Sequence, residues 1–311
     1  MIKVDLITGF LGSGKTTFLK MYAKYFIEKG EKVGILENDY GAVNVDMLLL
    51  NELRGENCEL EMVAGACDRD CHMRRFKTKL IAMGMSGYDR VIIEPSGIFD
   101  IDEFFDTLRD EPLDRWYEIG SVIAIVDAGL EKNLSETSKY FLASQVASAG
   151  TIMLSRTQLI DEVVMADTKR TLVEALSLAK VDRDISNFIV ERDWASLTAE
   201  DYETISNSGY KSASFVKKVT GDANDYSTEY FLEVPFTRAR IKKVTEELME
   251  NTEKFGKVFR VKGFFIEDGI WYEVNATRKD FYLEEIPVGQ EVMIVIGEDL
   301  VHDAVRELVE S

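Results

Sequence analysis

Eight residues near the start of the chain, Gly9-Phe10-Leu11-Gly12-Ser13-Gly14-Lys15-Thr16, fit the spacing G-x-x-x-x-G-K-[ST]. Glycines let the backbone turn its N–H groups inward around an anion, and a helix starting at the end of the loop adds the partial positive charge of its N-terminus. A lysine in the seventh place can reach β- and γ-phosphate oxygens, and the hydroxyl after it can ligate Mg²⁺. The chemistry is that of a magnesium-bound nucleoside triphosphate. Gly12, Ser13, Gly14, Lys15, Thr16 and Thr17 are the candidate phosphate-binding residues.

A second chemical element is Val91-Ile92-Ile93-Glu94-Pro95-Ser96-Gly97, an apolar run ending in an acid and a glycine. Glu94 can act on the Mg²⁺ shell with Thr16 or orient an attacking water, and Gly97 can offer a bare N–H to the γ-phosphate. Alone, this segment reads as an ordinary strand end followed by a turn. Beside the phosphate loop it makes Lys15 and Glu94 the catalytic candidates.

Positioning these residues requires strands that end together and helices that start there. Strands are expected at 3–8, 32–37, 90–94, 121–127 and 151–155, with helices between them at 17–28, 74–83, 102–108, 135–146 and 167–178. Apolar strands alternating with amphipathic helices predict βαβ units and a mainly parallel sheet covered on both faces. The alternation fades near Asp193, and Ser206-Asn207-Ser208-Gly209 reads as a loop. A second pattern begins at Tyr226, with strands expected at 230–234, 258–266, 270–275 and 291–296 and helices at 240–250 and 300–309. The expected division is an α/β P-loop domain over 1–192, a linker over 193–225 and a small α+β domain over 226–311.

Composition narrows the partners. With 37 Lys+Arg against 56 Asp+Glu the chain carries a formal charge of −19, which argues against nucleic acid or an anionic membrane as its partner. No apolar run approaches the roughly 20 residues of a bilayer span. The first residues mix charge into a short apolar stretch and do not read as a signal peptide. Three cysteines, Cys58, Cys67 and Cys71, imply no disulfide framework and suit a reducing cytoplasm.

Several segments together resemble the CobW-like metallochaperone GTPases, P-loop proteins related to the urease and hydrogenase maturation GTPases. They are Gly9–Thr17 (GFLGSGKTT), Glu37–Asp46 (ENDYGAVNVD), Ile93–Gly97 (IEPSG), Val122–Ala128 (VIAIVDA), Phe259–Phe265 (FRVKGFF) and Val292–Gly297 (VMIVIG). The resemblance spans most of the chain and is weakest over 181–225. It implies a slow nucleoside triphosphatase, GTPase first, whose cofactors are GTP or ATP and Mg²⁺ and whose cargo is Zn²⁺ or another divalent transition metal. It also implies a first switch after Glu37, with Asn38, Asp39, Gly41 and Asp46 on its recurring positions. Loss of the γ-phosphate removes what holds such a loop, so an attached surface changes.

Two departures from that pattern matter. The family's G-C-x-C-C is replaced by Gly65-Ala66-Cys67-Asp68-Arg69-Asp70-Cys71-His72. If a helix starts near Asp68, Cys67 and Cys71 share a face one turn apart. With Cys58, His72 or the Glu37 carboxylate they could build a tetrahedral metal site. A structural cysteine pair and a redox couple remain the other meanings. The second departure lies at Ser155-Arg156-Thr157-Gln158, where guanine-specific relatives carry N/T-K-x-D. Ser155, Arg156 and Gln158 are expected to line the base, with the Arg156 stem over its plane. Gln158 is neutral and both donates and accepts, so it meets guanine or adenine.

These readings converge on a nucleotide switch acting as metallochaperone or metal/cofactor insertase for a client metalloenzyme or cofactor protein. The alternative is a nucleotide-gated assembly or activation factor for a cofactor enzyme, such as a corrinoid protein, without metal cargo. His302 reads as a surface or packing residue. The metal, the client and the oligomeric state stay open.

Overall fold

A computed structural model describes residues 1–38, 46–63, 69–97, 101–131, 134–211, 226–278, 280–287, 289 and 291–311. The chain divides into two compact units, Met1–Lys218 and Val219–Ser311. The first runs β1 (Ile2–Gly9), α1 (Lys15–Glu28), β2 (Val33–Asn38), α2 (Asp46–Leu50), β3 (Cys58–Val63), α3 (Arg69–Gly84) and β4 (Arg90–Pro95). It continues with α4 (Ile101–Arg109), α5 (Leu113–Trp116), β5 (Tyr117–Asp127), α6 (Glu136–Ala147), β6 (Thr151–Ser155), α7 (Glu162–Leu178), β7 (Ile189–Val190) and α8 (Ala199–Ser206). Its strands form one sheet in the order β3-β2-β4-β1-β5-β6-β7, and every pairing between them is parallel. The expected α/β fold with a parallel sheet is the observed one.

Strand periodicity explains the two-faced burial. Val4 and Leu6 of β1, Val91 and Ile93 of β4, and Val122, Ala124 and Val126 of β5 point into one apolar layer, completed by Phe76 and Leu80 of α3 and by Phe104 of α4. The intervening Ile7, Ile92, Ile123 and Ile125 point into the other, with Phe18, Leu19, Tyr22 and Phe26 of α1. Parallel strands end at the same edge, so β1, β2, β4 and β6 deliver their last residues side by side.

Two elements carry no clear sequence signal. β3 alternates Glu59 and Glu61 with apolar residues because it is the sheet's outermost strand. The polar stretch after Asp193 forms α8, capped by a reciprocal Thr198–Asp201 box, and Tyr202 stacks on Tyr25 at 5.0 Å between ring centroids. The short α2, α5 and β7 are unexpected as well; the remaining helices and strands fall where expected with shifted ends, and α3 and α7 each start five residues early, at Arg69 and Glu162.

The second unit contains β8 (Tyr226–Leu232), α9 (Arg238–Glu250), α10 (Thr252–Phe255), β9 (Lys257–Glu267), β10 (Ile270–Thr277), β11 (Phe281–Ile286), β12 (Val292–Glu298) and α11 (His302–Glu310). The antiparallel order is β11-β10-β9-β12-β8. Phe265, Tyr272, Val274 and Val295 form one sheet face and pack on Ile241 and Leu248 of α9 and Val305 of α11. β11 is the strand that the sequence pattern leaves out. His302 is exposed and pairs with Glu229, a surface contact. No described helix is long and apolar enough to cross a membrane.

A buried ion pair lies inside the first unit, away from the glycine loop. Asp5 of β1 is fully buried and accepts from the Ser121 amide at 2.7 Å, from the Tyr22 hydroxyl at 2.9 Å and from Arg90. Arg90 also binds Glu31 at 3.1 Å and lies 3.9 Å from the Phe26 ring centroid. Removing one partner of such a pair strands the other in a dry interior. Arg90→Met is expected to lower stability by about 3–5 kcal/mol, read as a fall in the urea midpoint. The double variant Arg90→Met/Asp5→Asn should regain most of it, and equal loss in both would refute the pairing.

Candidate functional site

β1 leads directly into the glycine loop. Gly9 has φ +150°, and a Cβ there would stand 2.3 Å from the Ile125 carbonyl oxygen, so no side chain fits. Gly14 adopts φ +99° as the residue that caps α1. Lys15 opens that helix and is only 6% exposed. Ser13 N donates to the Phe10 carbonyl at 3.2 Å, which closes the loop. A helix of 14 residues starting here aims its N-terminal partial charge at whatever the loop holds.

The Thr16 hydroxyl donates to Glu94 Oε1 at 2.9 Å, joining the first turn of α1 to the end of β4. Glu37 stands opposite Glu94 in the β2–β4 register, and both are buried. Adjacent strands lie about 4.8 Å apart, so Glu37 and Glu94 stand at one level of the sheet, with the Thr16 hydroxyl on the Glu94 carboxylate. Hard oxygen donors in this arrangement fit Mg²⁺. Gly97 lies against the loop as well: a Cβ on it would be 2.7 Å from Leu11 N. Gln145 Nε2 donates to the Gly97 carbonyl at 2.7 Å and fixes that approach. Gln145 was not anticipated; its one signal is a polar residue amid Leu142, Ala143 and Val146 of α6.

On the other flank, Arg156 adopts φ +57° and donates through Nη1 to the Gly12 carbonyl at 3.1 Å and to Asp127 Oδ2 at 2.7 Å. The guanidinium is therefore tied to the loop, and the stem is what it can offer a base. Ser155 is buried, 3.7 Å from where a Gly14 Cβ would lie, and its hydroxyl has no protein partner among the described residues. Trp194 packs 3.4 Å from that same point and edge-on to Phe18, a neighbour that motif spacing could not show. Gln158 sits exposed in the short 3-10 turn Thr157–Leu159, with no contact to the loop among those described. Thr17 is exposed one residue past Thr16.

The thiols part company. Cys58 is the first residue of β3, opposite Val33, whereas Glu37 lies opposite Met62. Four residues of strand, about 13 Å, separate Cys58 from the level of Glu37. Cys58 is 1% exposed in the apolar layer under α1, and burial pushes its thiol up to about 11. The structure thus places Cys58 away from the level of Glu37, in the core under α1. Cys71 is half-buried in the first turns of α3 and faces Met62 and Val63 of β3. Cys67, Asp39 and Gly41 lie outside the described residues. His72 is fully buried and its Nε2 donates to Asn38 Oδ1 at 2.7 Å. Burial first, and the Arg75 charge second, hold its pKa below the usual histidine range. A neutral imidazole thus fastens α3 to the residue following Glu37.

The model of the CobW/HypB/UreG nucleotide-binding domain matches residues 3–181, more than half of the chain. The zinc chaperone YjiA of Escherichia coli is 26% identical over 283 residues, covering 86% of this chain and 83% of its own length. Zinc-regulated GTPase metalloprotein activator 1 of Schizosaccharomyces pombe is 25% identical over 187 residues, covering 58% of this chain and 45% of its own. Among solved structures, Zn(II)-bound YjiA GTPase from E. coli is 19% identical at a TM-score of 0.36, covering 99% of this chain and 97% of that one. On the family match over 3–181, together with its glycine loop and parallel sheet, this chain belongs to the CobW/HypB/UreG family of nucleotide-binding proteins.

Proposed function

We propose that this protein is a nucleotide-gated metal chaperone that binds and slowly hydrolyses GTP and hands Zn²⁺ to a client enzyme. The observation that carries the reading is a pair of consecutive residues on β2. Glu37 is the register neighbour of Glu94, which holds Thr16, and Asn38 holds His72 at the start of the cysteine-bearing helix. A change at the triphosphate end therefore reaches the thiols through one strand terminus. The names of the zinc chaperone and zinc-regulated GTPase relatives support both halves.

In this mechanism Gly12, Ser13, Gly14 and Thr17 present backbone N–H groups to phosphate oxygens, and Lys15 neutralises charge that builds during transfer. Thr16 and Glu94 would hold Mg²⁺, which would supply Lewis-acid charge to the phosphates. Glu94 also orients the water that attacks the γ-phosphorus, with Gly97 N–H on the far side; the bond to the β-bridging oxygen breaks, leaving GDP and phosphate. Ser155 and the Arg156 stem line the base. With Gln158 neutral, ATP is the competitor that guanine contacts must exclude. Cys67 and Cys71 are the principal donors to the cargo, Glu37 completes the set, and His72 serves as ligand or as the anchor of α3. Thiolates suit Zn²⁺ and a reducing cytoplasm.

Lys15→Ala is expected to weaken GTP binding at least a hundredfold by calorimetry, and unchanged affinity removes the basis of the reading. Gly97→Ala should push Leu11 and slow hydrolysis at least tenfold while GDP binding changes less; equal rates would show that this approach is not used. Equilibrium dialysis should find one Zn²⁺ per chain, lost in Cys67→Ser/Cys71→Ser and bound with different affinity in the GDP and non-hydrolysable GTP states. Stoichiometric zinc in the double variant defeats the thiol site. Nucleotide-independent affinity defeats gating and favours an assembly factor without cargo.

A further inference from the structure

The outer edge of the parallel sheet carries a feature that nucleotide chemistry does not use. β3 pairs with β2 on one side, and among the described residues no strand pairs with its other edge. Between that edge and α3 runs an open groove of about 470 Å³, lined by Met62 and Val63 of β3 and by Cys71, Arg74, Arg75 and Lys79 of α3. Positions 71, 74, 75, 78, 79 and 82 form one stripe of the helix, as the 3.6-residue period requires. Met62 is 40% exposed, an apolar side chain in the open.

Charge distinguishes this place from the rest of the molecule. The α3 sequence carries Arg69, Arg74, Arg75, Lys77 and Lys79 against Asp70, a net +4 within a chain of −19. Lys79 is engaged by Glu61 at 2.7 Å and Lys77 by Asp110 at 2.9 Å. Arg74 and Arg75 line the groove and are exposed. An unpaired strand edge presents a row of backbone donors and acceptors, which an extended peptide can satisfy. Gly55 already exchanges both backbone hydrogen bonds with Cys58, so the open edge runs from Glu59 to Val63, five residues of about 16 Å, alongside a stripe from Cys71 to Ala82 of about 16 Å.

We infer that this groove is a docking site for an acidic, extended segment of a partner protein, which adds to β3 as an eighth strand. Its backbone pairs with the edge of β3, its apolar side chains on one face cover the exposed Met62, and its carboxylates on the other face meet Arg74 and Arg75 of α3. The strand edge alternates backbone donors and acceptors, which a peptide backbone matches with both and a nucleic-acid phosphate, an acceptor only, does not. The bound segment passes Cys71 at the sheet end that carries Glu37. That it brings a client to the metal rests on the chaperone reading; the surface itself does not.

The test titrates fluorescein-labelled Glu-Val-Glu-Val-Asp-Val into the nucleotide-free, metal-free full chain and reads anisotropy. Saturable binding is expected, falling at least tenfold from about 0.05 M to about 0.5 M salt. It should also fall at least tenfold in Arg74→Glu/Arg75→Glu and in the milder Arg74→Gln/Arg75→Gln. A peptide methylated on alternate backbone nitrogens should not bind. The inference is overturned by absence of wild-type binding, by equal binding of the methylated peptide or of both variants, or by tighter binding of a single-stranded hexanucleotide. Because neither GTP nor zinc is present, failure here leaves the chaperone reading standing. Conversely, peptide binding in a protein that holds no zinc keeps the docking site and removes only its link to cargo.

Discussion

The 2.9 Å contact between Thr16 and Glu94 is the constraint around which the first unit is arranged. It exists only because β1 and β4 are parallel neighbours that end at the same edge. The helix after β1 must start where β4 finishes. Gly9 and Gly97 allow the required closeness, since a Cβ on either would press into backbone atoms of Ile125 or Leu11. Arg156 and Gln145 then hold the two flanks, one on the Gly12 carbonyl and the other on the Gly97 carbonyl. Fixed donors of this kind need little reorganisation when charge shifts between phosphate oxygens.

The same sheet solves a second problem with polar groups in its interior. Asp5 and Arg90 lie under α1, away from the loop, and each is satisfied by several partners. His72 and Asn38 do the corresponding work on the α3 side, where a buried imidazole joins helix to strand. Both are directional contacts between elements distant in sequence. An apolar pair would pack there but would not fix which residue faces which. The His72–Asn38 contact has the further consequence that α3 cannot shift without disturbing the end of β2.

Much of the candidate site could be read directly from residue order. The glycine loop, Lys15, Thr16 and Glu94 are recognisable because their chemistry depends on local spacing, a loop between a strand and a helix and an acid ending an apolar strand. The second flank was harder to read. Ser155-Arg156-Thr157-Gln158 pointed to the base region, yet the structure commits the Arg156 head to Gly12 and Asp127 and leaves Gln158 exposed. Trp194 and Gln145 gave no motif, because a lone aromatic or amide acquires meaning only from what it touches. β3 escaped notice since an edge strand, half exposed, dilutes its apolar period with Glu59 and Glu61.

Local order in the chain thus determined the parallel α/β class, the antiparallel second unit and the loop that suits a triphosphate. Periodic burial and glycine geometry are short-range properties, and they survive without knowledge of the fold. Tertiary structure alone decided the surroundings of Cys58 and Cys71. Counting residues could not separate Cys58 from Cys71, for both lie within fourteen positions of each other. Register put Cys58 at the far end of the strand and in an apolar layer, while helix phase turned Cys71 toward an open cationic groove. Reactivity follows from solvation and neighbouring charge, and those are set by which elements pack together rather than by spacing along the chain.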